Sequence, residues 1–142
     1  MRRIFIGLGI VAVVVIAFFG SAMVASEVGG EVVTVFTVSD AGEPVETRLW
    51  IVDDGGFAWL RAGQAQSRWL ARIDATPEIE VERAGQRSAY RAVPVRDAAA
   101  RDRIHRRMAE KYGWADRLIA VMRDPSGSVA IRLEPTGDAP NP

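Results

Sequence analysis

The chain has 142 residues, with 18 basic and 18 acidic side chains, one histidine and no cysteine. That length fits one domain plus an appendage, and the lack of cysteine excludes disulfide staples and thiolate chemistry. A zinc site, which normally gathers several nitrogen or sulfur ligands, is disfavoured as well.

Ile4 to Val24 carries no charge and, apart from Gly7, Gly9, Gly20 and Ser21, is wholly apolar. At about 1.5 Å per residue, a helix over this run spans roughly 30 Å, the thickness of a bilayer's hydrocarbon core. Residues 1–25 therefore read as an uncleaved transmembrane anchor that makes the lipid bilayer a partner. The alternative is a cleaved signal peptide processed at Gly20-Ser21-Ala22. Against it, the run is longer than a signal's apolar region of about 7–15 residues, and Met23-Val24 continue apolar beyond that point. Arg2 and Arg3 predict a cytoplasmic N-terminus and a single pass, so the charge rule places the domain outside. Removing those two arginines leaves 16 basic residues against 18 acidic ones, a balance that argues against nucleic-acid binding.

Residues 26–30 form a short linker, and a folded domain is predicted over 31–135. "EVVTVFTVS" is β-branched and ends at the turn signal Asp40-Ala41-Gly42. "PVETRLWIVDD" alternates, with Thr47, Leu49 and Ile51 on one face and Arg48, Trp50 and Val52 on the other. Asp54-Gly55-Gly56 reads as a tight hairpin turn, returning the chain as the strand "FAWLRA". A polar loop leads to a short helix from about Ser67 to Ala75, stopped before Pro77 because the residue preceding a proline is pushed toward extended geometry. "EIEVER" and "RSAYRAVPV" pair across Ala84-Gly85-Gln86. Asp97 is the predicted N-cap of a helix through about Lys111, with the stripe Ala100, Ile104, Met108 and Tyr112. A second helix covers about Ala115 to Arg123, "SVAIRLEP" is the last strand, and the tail 136–142 is expected to be disordered. Short turns between strands force antiparallel pairing, so the fold class is mainly β, a small barrel with helices before the last strand.

The corner from Arg61 to Trp69 is the candidate anion site. A helix N-terminus carries free amides and about half a positive charge; Ser67 can add a hydroxyl, and Arg61 or Arg68 a bidentate fork. The plainer reading makes Ser67 an ordinary N-cap and leaves the arginines solvated or paired. Trp69 reads as core packing or as a cofactor contact. Trp50 and Trp59 are candidates for the floor of a ring-binding cleft, with Arg48 beside Trp50. Tyr112 is the candidate proton donor, set against packing in its apolar stripe. "RDRIHRR", with Arg103, Arg106 and Arg107 on one face, reads as a solvated helix face, and His105 as a surface residue.

The order of elements, carried by "VVTVFTV", "GEPVETRLW", "SRWLARIDATPEIEVE" and "KYGWAD", resembles the split β-barrel flavin and deazaflavin proteins. This is the pyridoxamine-phosphate-oxidase-like superfamily, and within it the likeness is to the F420-dependent nitroreductase/quinone reductase branch. It covers roughly Glu31 to Pro135, with Thr76 where the family carries Asn. The resemblance implies a split antiparallel barrel and a cofactor, F420 or alternatively FMN, whose phosphate-bearing side chain lies near the Arg61–Trp69 corner. It also implies a quinone or nitro substrate and a homodimer. The leading expectation is a membrane-anchored oxidoreductase; the alternative is a non-catalytic ligand-binding or interaction module on the same scaffold.

Overall fold

The computed structural model describes residues 30–137, and all of them from Glu31 onward belong to one compact unit. The expected anchor, nearly all of the linker, and residues 138–142 of the expected tail lie outside the described residues. Among those that are described, no helix is long and apolar enough to cross a membrane.

Six strands form the barrel: β1 (Val32–Val38), β2 (Pro44–Asp54), β3 (Phe57–Ala62), β4 (Glu78–Arg83), β5 (Gln86–Val95) and β6 (Val129–Pro135). All pairings are antiparallel and the sheet closes in the order β1-β2-β3-β6-β5-β4. Alternation sets the inside: Val33, Val35, Leu60, Ile79, Val81, Ile131 and Leu133 point inward and are buried. Gly55 and Gly56, at φ 60° and 83°, link the paired residues Asp54 and Phe57. Two consecutive positive φ values give a hairpin turn whose twist matches the strands, and glycine adopts them without strain.

Helix α1 (Arg68–Ala75) closes the barrel interior, sending Trp69, Leu70 and Ile73 into its core. Arg72 of this helix donates from Nε to the buried Thr37 Oγ1 at 2.7 Å, so the one polar residue on the inner face of β1 is satisfied. Thr76 leaves the helix with φ −137°, the extended geometry that Pro77 requires.

Helix α2 (Ala98–Tyr112) starts where expected, with Asp97 Oδ1 accepting from the Ala100 amide at 2.7 Å. Its stripe of Ile104, Met108 and Tyr112 does not fill the barrel. It packs on the barrel's outer surface against Val52, Trp59 and Ala130, with Trp50 and Val95 at the margin, making a second core. The outer face of β2, β3 and β6 is therefore buried beneath α2, in addition to the barrel interior. Helix α3 (Trp114–Met122) follows after Gly113, and its only buried residue is Asp116.

Candidate functional site

Of the three groups expected at the α1 corner, two are committed within the protein. Ser67 occupies the N-cap position, yet its hydroxyl makes no cap; Oγ donates back to the Gln64 carbonyl at 2.7 Å. The first-turn amides of α1 thus gain no side-chain acceptor from it. Arg61 is on the outer face of β3, where Nη2 donates to Asp116 Oδ1 at 2.5 Å and Nη1 faces His105 Nδ1 at 2.9 Å. A guanidinium neutralised in this way is not an anion clamp. Arg68 is exposed and, among the described residues, enters no ion pair. The corner is therefore one arginine beside an uncapped helix start, not a two-arginine fork. Trp69 is a core residue, 9% exposed and packed with Leu70 and Ile73.

The Arg61 cluster also contains a serine–histidine contact, His105 Nε2 to Ser128 Oγ at 2.6 Å. A guanidinium can only donate, so Nδ1 accepts from Arg61 and the ring proton sits on Nε2. Nε2 then donates to Ser128, whose own proton goes to the Pro125 carbonyl at 2.9 Å. The imidazole points a proton at the hydroxyl instead of withdrawing one, so the pair does not activate a nucleophile. The sequence predicts a surface histidine, whereas the structure half-buries His105. Burial first, and then the Arg61 charge, hold its pKa below the ordinary 6.5.

A pH dependence follows. The unfolded chain takes up the His105 proton at a higher pH than the folded one does, so stability is full above 6.5 and falls as pH drops below it. Glu31 and Asp53, both held below their ordinary values chiefly by hydrogen bonds from Arg83, extend the loss to lower pH. Urea midpoints should decline on acidification, the His105 limb contributing at most about 1.4 kcal/mol per pH unit. His105→Asn should flatten that upper limb only, and an unchanged profile in this variant would remove the assignment.

Tyr112 is corrected as a proton donor. Its ring stacks on Trp50, centroids 4.3 Å apart and planes 6° from parallel. Its hydroxyl accepts from the Ile51 amide at 3.0 Å and directs its proton to the carbonyls of Glu31 and Ile51, at 2.5 and 2.9 Å. The register Val32↔Trp50 explains why: the next residue facing Ile51 would be Glu31, and the β1 ladder has ended there. The phenol takes the place of the missing strand residue. Burial pushes its pKa up to about 12, so it holds its proton and keeps it internal.

Trp59 is buried beneath α2 and Trp50 is half-buried at its margin, and Trp59 Nε1 donates to the Asp54 carbonyl at 3.0 Å. Arg48 is exposed on the outer face of β2, opposite Thr34. The basic run on α2 is not simply solvated, because Arg103 and Arg107 each donate from Nε to Asp54 at 2.8 Å and tie the helix to the β2–β3 hairpin. An open groove of 440 Å³ lies elsewhere, lined by Phe36, Glu78, Glu80, Arg87 and Tyr90 among others. None of the expected cofactor residues lines it, and its arginine is spent: Arg87 pairs with Glu80 at 2.9 Å and stacks on Phe36. In the sequence Asp116 and Ser128 sit in ordinary helical and loop contexts that carry no signal of their contacts.

No family model and no curated protein sequence matches the chain. Solved structures do match it by shape. A putative pyridoxamine 5'-phosphate oxidase from Listeria innocua superposes with a TM-score of 0.59 at 13% identity, over 82% of this chain and 93% of the other. The chain has the split-barrel fold of the pyridoxamine-phosphate-oxidase-like proteins. Two further solved structures match. The haem storage protein HutZ from Vibrio cholerae matches with a TM-score of 0.62 at 14% identity, over 83% of this chain and 90% of its own. An F420 reductase matches with a TM-score of 0.53 at 16% identity, over 76% and 88%. At these identities the likeness establishes the split barrel alone.

Proposed function

We propose that this split barrel is a membrane-anchored oxidoreductase that binds a flavin-type cofactor, F420 or FMN, and reduces a quinone or nitro compound. The observation that supports the reading is the start of α1, where uncapped amides sit beside an exposed Arg68 that enters no ion pair among the described residues. Amides at a helix start and a free guanidinium are the donors that a cofactor phosphate requires. When bound, such a cofactor supplies the hydride chemistry; the chain's part is to hold its phosphate and orient its ring. Neither Tyr112 nor His105 contributes a proton, since both are committed inside the protein.

A non-catalytic ligand-binding module is the second reading, and the internal commitment of Arg61 and Tyr112 favours it. Fluorescence titration of the full chain with FMN and with F420, alongside Arg68→Ala, separates the two. Loss of one charge-assisted contact, about 1.5–3 kcal/mol, should weaken cofactor binding roughly 10- to 100-fold with the fold intact. Equal affinity in the variant would remove the proposed phosphate site, and no binding of either cofactor would leave the module reading.

A further inference from the structure

Helix α3 presents its apolar side to solvent. Trp114, Leu118, Val121 and Met122, spaced to share one face, are 69%, 56%, 87% and 79% exposed. What holds the helix is its opposite side, where Asp116 reaches Arg61. An ion pair on the inner side fixes this orientation, so the apolar face is not waiting for the barrel's own core. Together the four side chains expose on the order of 500 Å², at the upper end of what a monomer shows as one patch. That is short of the roughly 800 Å² per partner that a stable protein interface buries.

A second observation says where the face is. The domain's chain begins at Glu31, whose carbonyl accepts from Tyr112 Oη and whose carboxylate takes Lys111 Nζ at 2.6 Å. Tyr112 is the last residue of α2, and Trp114 opens α3 two residues later. Glu31 and the start of α3 therefore lie at the same corner of the barrel. Six residues separate Glu31 from Val24, the end of the apolar segment, and even fully extended they reach only about 20 Å. Arg117, exposed at the edge of the apolar face, suits a headgroup layer, as does a tryptophan at the helix start.

We propose that the outward face of α3 lies in the headgroup interface of the phospholipid bilayer that Ile4–Val24 crosses, giving the domain a second membrane contact. The inference rests on the anchor reading and not on the cofactor. Helix α3 then acts as a short interfacial helix that sets the barrel's orientation on the membrane, which a single anchor would leave free.

The absence of cysteine allows a clean test. Full-length chains carrying Leu118→Cys, Met122→Cys or Ala41→Cys are spin-labelled and reconstituted into vesicles of phosphatidylcholine and phosphatidylglycerol in equal parts. Ala41 is in the β1–β2 turn, at the end of β1 away from Glu31, and serves as the water-exposed reference. Labels at 118 and 122 should gain oxygen collisions and lose collisions with a water-soluble nickel chelate, each several-fold relative to the label at 41. Nickel access at 118 equal to that at 41 overturns the proposal. So does protection from both reagents, whether with broadening that grows with protein-to-lipid ratio (a second copy on the face) or without it (a segment of the same chain). Release of the chain by an alkaline carbonate wash would remove the anchor reading and this inference together. Failure to bind FMN or F420 would move none of the labels.

Discussion

Asp116→Ala should be among the most destabilising single changes in the domain. It removes the carboxylate from a pair whose side chains are 8% and 12% exposed and strands Arg61 between β3 and α2. Stripping one partner from a buried ion pair costs about 3–5 kcal/mol. For a domain of this size, that corresponds to a fall in Tm of about 12 °C or more. Because α3 buries nothing else, its amides should lose exchange protection first. The double change Arg61→Met with Asp116→Leu should recover most of the loss, since a well-packed apolar pair is often no worse than a buried ionic one. A single variant with wild-type thermal unfolding would show that the pair is solvated and that α3 is held by something else.

Trp69→Ala should have a comparable effect for a different reason. The indole lies against Leu70 and Ile73, both fully buried, inside the barrel. Large-to-small truncation at such a site removes buried area and leaves a cavity, costing about 3–5 kcal/mol. Urea unfolding measures it. Were Trp69 a cofactor contact instead, the other reading its place in the sequence allows, truncation would leave stability almost unchanged and abolish binding.

How much of this could be read before folding depends on range. Alternation and punctuation are local, so Pro44–Asp54, Phe57–Ala62 and Glu78–Arg83 are strands with the expected bounds. Asp97 caps α2 as its position suggested. The second core was also visible in principle. In "LWIV", Leu49 to Val52, four apolar residues run without a polar one, and alternation fails when both faces of a strand are covered. Trp50 and Val52 were pointing at α2. By contrast, nothing in the sequence pairs Arg61 with Asp116, 55 positions away, or aims the Tyr112 hydroxyl at Ile51. Those contacts depend on how α2 and α3 dock on the closed sheet. Arg61, Tyr112 and Trp50 therefore looked like functional groups and are fixtures of the fold, whereas Arg68 keeps its charge available.

On the proposed function, the start of α1 receives the negatively charged part of a cofactor. The most direct measurement is amide chemical-shift mapping of the full chain in lipid nanodiscs during titration with FMN and with F420. Saturable, concerted shifts of the Arg68, Trp69 and Leu70 amides are the predicted result. Shifts confined to the groove around Phe36, Glu80 and Arg87, or no shifts with either compound, would contradict it.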